Sequence, residues 1–434
     1  MTPRLRPRPV PLDPACNPGF LKLDLLCRGA RLEEPARVRA DGGRPILRTR
    51  AGLGSGLELV LPGRLHVNVP VVEPFAAQSP YVLRPGRRPG AVEVLRDGRA
   101  CLPARLAPRP AWYDRTTSSG RPMARVATLQ GTYLAVYPGR VCDFWVRGPE
   151  REARENCRFC AVGLNLGADD APQKSVDEVM EVVRAARRES AITYVDFNAG
   201  HADDAGFLDL LEPYLARVKA LGLLVGVQTP PHPDPARWAR LRAMGVNRVS
   251  FCFELFDRAR FLDVCPGKAR VYGLDGYLAA IERCVEVGRA RGPLLEPWVV
   301  NGEIVAGLEP VESSLAAVDW LTERGAIPTV CVFRPLVGTD LAGARPPPTE
   351  AMVPLFRRLY TRCVAHGLPI GVAPDVHVSL VLLPEEARWL VDDPDVLDAC
   401  RRRERRNGWL ARGFAAAFRT RVALRAAAAL APGR

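Results

Sequence analysis

The chain has 434 residues, a formal net charge of +13, 47% hydrophobic residues and twelve cysteines. Nearly half apolar at this length, it can bury a substantial core, which excludes a disordered or low-complexity chain. No apolar run approaches the ~18 residues a membrane-spanning helix needs, and twelve cysteines behind the basic, proline-broken start Met1-Thr-Pro-Arg-Leu-Arg-Pro-Arg-Pro9, without a signal-peptide pattern, predict a reducing, cytoplasmic setting.

The excess charge lies at the ends. Residues 1–60 hold eleven Lys/Arg against six Asp/Glu, and residues 401–434 hold ten Arg against Glu404. These contributions of +5 and +9 leave −1 of the +13 for residues 61–400. A basic tail can bind RNA, DNA or an anionic surface, but no recognisable nucleic-acid module accompanies it. Nucleic acid is therefore a secondary partner class.

Residues 1–125 read as a β-rich N-terminal cap or entry domain. Pro and Gly punctuate short β-like runs at Leu57–Leu61, Leu65–Val69 and Ala91–Leu95, with turn signals such as Asp97-Gly98 between them. Cys16, Cys27 and Cys101 share no metal spacing and read as small buried hydrophobes. The segment Ala111–Thr117 reads as a packed linker, with closure over an active site as the other option.

From about residue 126 a regular alternation begins. Strand-like runs at 131–137, 191–197, 222–228, 246–253, 295–300 and 328–333 alternate with helix-like stretches near 175–190, 204–221, 235–244, 273–291, 311–324 and 349–366. Strands spaced by amphipathic helices imply βαβ units, right-handed crossovers and a parallel sheet. Ser175 before Glu178 forms a capping-box signature, and Pro235 opens another helix. Six such units predict an α/β protein with a partial (βα)6 TIM-like parallel barrel over residues 126–370 and a C-terminal extension over 371–434. A flat doubly wound sheet is the alternative, but no Gly-x-Gly-x-x-Gly follows the first strand.

The loop after that first strand carries Cys142, then fourteen residues, then Cys157-Arg158-Phe159-Cys160. Soft thiolates hold iron–sulfur clusters or zinc. A closed zinc site wants four protein ligands, and no Cys or His close behind Cys160 completes one. Three thiolates on a four-iron cluster instead leave one iron open for a ligand.

This pattern resembles the radical S-adenosylmethionine (SAM) superfamily, in which three cysteines hold a [4Fe–4S] cluster whose fourth iron binds SAM. The first spacing departs from the usual three residues, although long-spaced variants exist. The resemblance implies the partial barrel, a 5′-deoxyadenosyl radical that abstracts hydrogen from a small-molecule substrate such as a cofactor or natural-product precursor, and an electron donor such as flavodoxin or ferredoxin. Phe159 stands where the family carries an aromatic residue near the adenine. Asp196-Phe-Asn-Ala-Gly-His201 stands where a Gly-Gly-Glu run usually grips the SAM amino group; Asn198 and Gly200 would do so here through backbone carbonyls. His201 reads as a proton donor or as a solvent-facing loop residue, and Gln228 or Thr229 as a reach toward SAM or substrate.

The fourth strand, ending Cys252-Phe-Glu254, resembles the biotin-synthase-like branch, in which Glu254 would bind the ribose hydroxyls. Lys268 or Arg270 would pair with the SAM carboxylate. Gly302-Glu-Ile304-Val-Ala-Gly-Leu-Glu309 resembles the adenine-site signature, with Ile304 against adenine and Glu309 bracing the turn. Phe333-Arg-Pro-Leu-Val-Gly-Thr339 resembles that branch's Pro-x-x-Gly-Thr segment. Cys265 reads as a substrate-facing hydrogen donor, a ligand or a buried packing residue.

Past the barrel, Gly371–Leu380 suggests an extended segment on the sheet edge, with structural roles for Asp375 and His377. Trp409, Phe414, Phe418 and Val422, with arginines elsewhere, predict a basic amphipathic helix docked on the barrel. The rival reading is a zinc- or iron–sulfur-stabilised nucleic-acid-binding or RNA-modifying protein using its basic tails.

Overall fold

The computed structural model describes residues 8–33, 56–146, 155–290, 292 and 296–430. Most of the fourteen-residue spacer between Cys142 and Cys157 lies outside the described residues.

The chain opens with a helix that the β-like reading of residues 1–125 did not foresee. Helix α1 (Pro18–Arg28) starts at Asn17, whose side chain accepts from the Phe20 amide, with Pro18 at its first position. Asn-Pro is a helix-start signal in its own right. The helix is buried nearly all round because its charged residues have partners. Lys22 Nζ donates to Glu386 Oε2 at 2.7 Å and to the Val378 carbonyl at 2.9 Å, and Asp24 accepts from Tyr81 Oη at 2.6 Å.

An N-terminal sheet follows: β1 (Arg31–Leu32), β2 (Leu57–Leu61), β3 (Leu65–Val69), β4 (Tyr81–Pro85), β5 (Ala91–Arg96), β6 (Arg99–Ala100) and β7 (Ala104–Leu106). Its order is β1-β4-β5-β7-β2-β3, with β6 on β5. The linker at Ala111–Thr117 packs rather than covers: Trp112 is buried, and Arg115 pairs with Glu189 on the first barrel helix.

The second sheet is the barrel. Its strands are β8 (Thr128–Gln130), β9 (Tyr133–Val136), β10 (Tyr194–Asn198), β11 (Leu224–Gln228), β12 (Arg248–Glu254), β13 (Val299–Ala306) and β14 (Ile327–Val332), hydrogen-bonded in sequence order. β9 to β14 are all parallel. Only β8 is antiparallel, a hairpin partner of β9 too short to show a period. Between the strands run α2 (Val176–Ser190), α3 (Phe207–Ala220), α4 (Ala236–Ala243), the short α5 (Arg258–Val264) and α6 (Pro266–Val271), α7 (Gly273–Arg289) and α8 (Val311–Arg324), and α9 (Thr349–Ala365) follows β14. Ser175 and Glu178 close a reciprocal capping box on α2.

The sheet curls into an open half-barrel. One extended segment reaches both flanks: Val378 bridges to Gly131 before β9, and Val381 bridges to Cys331 of β14. The N-terminal sheet locks onto this seam. Buried Arg334 donates to Asn68 Oδ1 at 2.9 Å and to the Asn68 carbonyl at 2.7 Å, while the Asn68 amide donates to the Ser379 carbonyl.

The final helix, α10 (Pro394–Leu430), seals the other end. Phe414, Phe418 and Val422 pack on Tyr133, Tyr194 and Leu224 at the starts of the strands. Two tail arginines are structural: Arg421 pairs with Glu296 at 2.7 Å, and Arg425 donates to the Lys219 carbonyl. Among the described residues, no helix is long and apolar enough to cross a membrane.

Candidate active site

In a parallel barrel the side chains at the C-terminal strand ends surround a common space. Here that space is a cavity whose wall includes Cys142, Cys157 and Cys160. Cys142 follows β9 and heads a single helical turn, Asp143–Val146. After the spacer the chain is stitched to the loop beyond β12: the Arg158 amide donates to the Val264 carbonyl at 2.9 Å and the Gly267 amide to the Glu155 carbonyl at 3.0 Å. A Cβ on Gly267 would lie 2.6 Å from that carbonyl and from Phe144, so only glycine allows the approach.

Burial pushes the Cys142 thiol up to about 11 and the Cys160 thiol up to about 12. A hydrogen bond from Cys265 pulls the Cys157 thiol down, with nearby Lys268 adding to it. Thiols kept protonated by burial become thiolates when a cation takes the proton's place. Cys265 itself is fully buried behind Cys157 rather than on the cavity wall.

The end of β10 forms the adjoining wall. Asn198 Nδ2 donates to Gln228 Oε1 at 2.7 Å, linking two strand ends. Gly200 leaves room for the cysteine loop, since a Cβ there would sit 2.6 Å from Tyr137 Oη and 2.8 Å from Cys142 Cβ. His201 stacks on Phe144 with centroids 4.1 Å apart. Its ring nitrogens meet Tyr272 Oη at 2.5 Å and Asp203 Oδ1 at 2.9 Å, and its carbonyl accepts from the Asp143 amide. The imidazole is therefore buried and doubly bonded, bracing the turn that carries Cys142.

β12 ends in a bulge, where Glu254 takes φ +72°, a left-handed conformation rare for a residue with a side chain. The twist turns its carboxylate to Lys268, whose Nζ lies 2.6 Å from Glu254 Oε1 and 2.6 Å from the Cys252 carbonyl. Burial raises the Glu254 pKa against the pull of Lys268. Burial works against the Lys268 charge, but the negative groups around it, Cys157 and Glu254 foremost, hold its pKa well above the ordinary value. Lys268 lines the cavity, whereas Arg270 faces outward and grips Glu155 at 2.6 and 2.7 Å.

Phe159 is buried on the cavity wall. Ile304 is also fully buried but is not on that wall; strand alternation puts its neighbour Glu303 inward instead. Glu309 accepts from the Phe256 and Asp257 amides at 2.7 and 2.8 Å and from Ser314 Oγ at 2.7 Å, fixing the turn after β12.

Sequence reasoning missed the inner polar layer below. Arg248 donates to Glu303 Oε1 at 2.9 Å and to Asp196 Oδ1 at 3.2 Å, and Ser250 Oγ lies 2.6 Å from Glu303 Oε1. The groups meet across β11 because Gly226 has no side chain: a Cβ there would lie 2.4 Å from Asp196 Oδ1. The available signal was alternation, since Arg248, Ser250 and Cys252 share one face of β12. Glu303 Oε2 accepts from Cys252 Sγ at 3.3 Å, and both residues reach the cavity. A second cavity adjoins the first across Tyr137, Asn198, Gly200 and His201.

No protein-family model matches the chain. A curated protein, the bacteriochlorophyllide c C-7(1)-hydroxylase of Chlorobaculum limnaeum, is 22% identical over 284 residues, covering 60% of this chain and 67% of that one. Similar solved structures include methylornithine synthase (PylB), 16% identical with a TM-score of 0.40 over 57% of this chain and 71% of that one. The [FeFe]-hydrogenase maturase HydG is 15% identical with a TM-score of 0.38, over 53% and 48% of the two chains. Coproporphyrinogen III oxidase (HemN) from Escherichia coli, a radical SAM enzyme, is 15% identical with a TM-score of 0.32, over 52% and 55%. In this chain three thiols gather at the C-terminal mouth of an open (βα)6 barrel, in the order the sequence carries them.

Proposed function

We propose that Cys142, Cys157 and Cys160 hold a [4Fe–4S] cluster, and that the chain uses it with SAM to remove hydrogen from an unreactive C–H bond of a small-molecule substrate. The chemistry supplied by the bound pair is one-electron reductive cleavage of SAM to a 5′-deoxyadenosyl radical, fed by a low-potential donor of the flavodoxin or ferredoxin class. The observation that carries the reading is the gathering of three thiols from one interrupted loop onto a single cavity wall.

The residues present fit the group. Among the described residues, no three His, Cys, Asp or Glu side chains converge closely enough for a single metal ion. Cys142, Cys157 and Cys160 share one cavity wall, and thiolates are the ligands a four-iron cluster takes.

The chain's own part is binding, orientation and exclusion of water. Lys268 would take the SAM carboxylate, its charge secured by Glu254, and Glu254 would accept from the ribose hydroxyls. Asn198 and Gly200 would offer backbone carbonyls to the amino group, and Phe159 would pack near the adenine. His201 would keep the Cys142 turn in place. Glu303, anchored on one oxygen by Arg248 and Ser250, presents the other toward the cavity with Cys252. The adjoining second cavity gives the substrate room, and the name of the curated relative, a hydroxylase acting at a carbon, is compatible with attack on a C–H bond.

Anaerobic reconstitution with iron and sulfide tests this. The proposal expects four irons per chain, and 5′-deoxyadenosine from SAM and dithionite in the wild type. Cys142→Ala, Cys157→Ala and Cys160→Ala should each lose both. One tightly held zinc with no sulfide would overturn it and favour the structural-metal reading.

A further inference from the structure

Helix α10 divides its surface between two surroundings. Leu397, Cys400 and Phe418 are buried, and Phe414 and Val422 pack beside them on the protein. On the opposite side, Arg402, Arg405, Trp409, Arg412, Ala416 and Arg419 recur at alternating steps of three and four residues, and every one is exposed. This is one stripe of a helix, ~26 Å long.

The stripe has a single sign. Glu404, the one acid between residues 399 and 425, bonds to Tyr360 at the packed face, near Arg388. Arg421 and Arg425 are engaged with the barrel, so they serve docking of the helix. Of the outward arginines, Arg402 pairs with Asp398 at the start of the stripe. In its middle, Trp409 is 72% exposed beneath the Arg412 guanidinium, which lies 4.7 Å from the ring centroid, and the next residue, Leu410, is 51% exposed. A face needed only for solubility does as well with mixed charges and no exposed indole.

We propose that this face docks on the anionic lipid headgroups of a membrane. Guanidinium groups match lipid phosphates, and a tryptophan settles at the boundary between headgroups and acyl chains. The geometry favours a plane over a groove. The outward stripe runs ~26 Å along one face while Phe414, Phe418 and the Arg421–Glu296 pair hold the opposite face of α10 against the barrel, so the whole stripe can meet a flat anionic surface. Docking is peripheral, consistent with no membrane-crossing helix among the described residues, and the proposal stands independently of the radical chemistry.

The test uses the full chain and sedimentation with vesicles of pure phosphatidylcholine or of phosphatidylcholine with phosphatidylglycerol. Each arginine near an anionic surface is worth about fivefold in partitioning. The wild type should therefore bind the phosphatidylglycerol vesicles at least about fiftyfold better, and release at high salt. Joint replacement Arg405→Gln, Arg412→Gln and Arg419→Gln should abolish that preference. Trp409→Ala should weaken binding several-fold and remove the blue shift in emission on vesicle addition. These side chains point away from the protein, so unchanged thermal melting verifies the fold. Equal sedimentation with both vesicle types, or full binding by the triple variant, would overturn the proposal. So would tighter retention of the chain by duplex RNA than by the anionic vesicles.

Discussion

The two ends of the barrel use the same inward-facing strand positions for opposite purposes. At the starts of the strands, Tyr133 and Tyr194 are covered by Phe418, and the Arg248 layer above them satisfies its charges internally. At the C-terminal ends, three cysteine thiols, Glu303 and the Lys268–Glu254 pair face a cavity. A parallel sheet thus separates stability from chemistry by height along the strand. Substitutions at the lower end should change stability with little effect on cluster binding, and those at the upper end the reverse.

The largest expected effect is at the top. Replacing any one of Cys142, Cys157 or Cys160 by alanine should reduce SAM cleavage at least a thousandfold and bound iron to near background, while the metal-free chain keeps its far-ultraviolet circular dichroism. The sharpest contrast within the upper end is Lys268 against Arg270. Lys268→Met should weaken SAM binding on the order of a hundredfold, because it removes the cation and strands the buried Glu254. Arg270→Met should change SAM binding by less than about threefold. Equal losses would break the assignment of roles.

At the lower end, Arg248→Met leaves Asp196 and Glu303 buried without their shared cation and should cost about 3–5 kcal/mol in denaturant titration. Phe418→Ala should cost about 3 kcal/mol through the cavity it opens. Both variants, refolded below their transitions, should still take up iron.

The smallest effect concerns the seam between the sheets. His66 stacks on His377 with centroids 5.6 Å apart, and burial lowers its pKa to about 4. In the unfolded chain a histidine titrates near ~6.5. Between these values the unfolded state binds more protons, so stability falls as the pH drops from ~6.5 toward 4. Thermal melting across that window should show a shallower loss for His66→Gln than for the wild type.

Much of the barrel was legible because period is a local signal. Five of the six parallel strands and the helices between them fall close to the predicted runs, while β13 (Val299–Ala306) overlaps its predicted run at 295–300 in only two residues, because Asn301, Gly302 and Glu303 interrupt its apolar signal. The cysteine trio was legible because its members stand on one loop. What escaped depends on tertiary placement. Helix α1 is buried on almost every side, so it shows no stripe, and its buried Lys22 and Asp24 find partners in other segments, most of them distant. Lys268 and Arg270, two residues apart on α6, point ~200° from each other. Only one can face the cavity, and helical phase alone does not say which. The Arg248 layer joins residues of β10, β12 and β13 that are over fifty positions apart and meet only because Gly226 lies between them.

The most direct test of the central claim is electron paramagnetic resonance of the anaerobically reconstituted, dithionite-reduced chain, recorded with and without SAM. The account predicts a [4Fe–4S] signal that shifts when SAM is added, because the proposed trio leaves the fourth iron to SAM, and that is absent from Cys157→Ala. A four-iron signal indifferent to SAM, or no iron–sulfur signal at all, would contradict it.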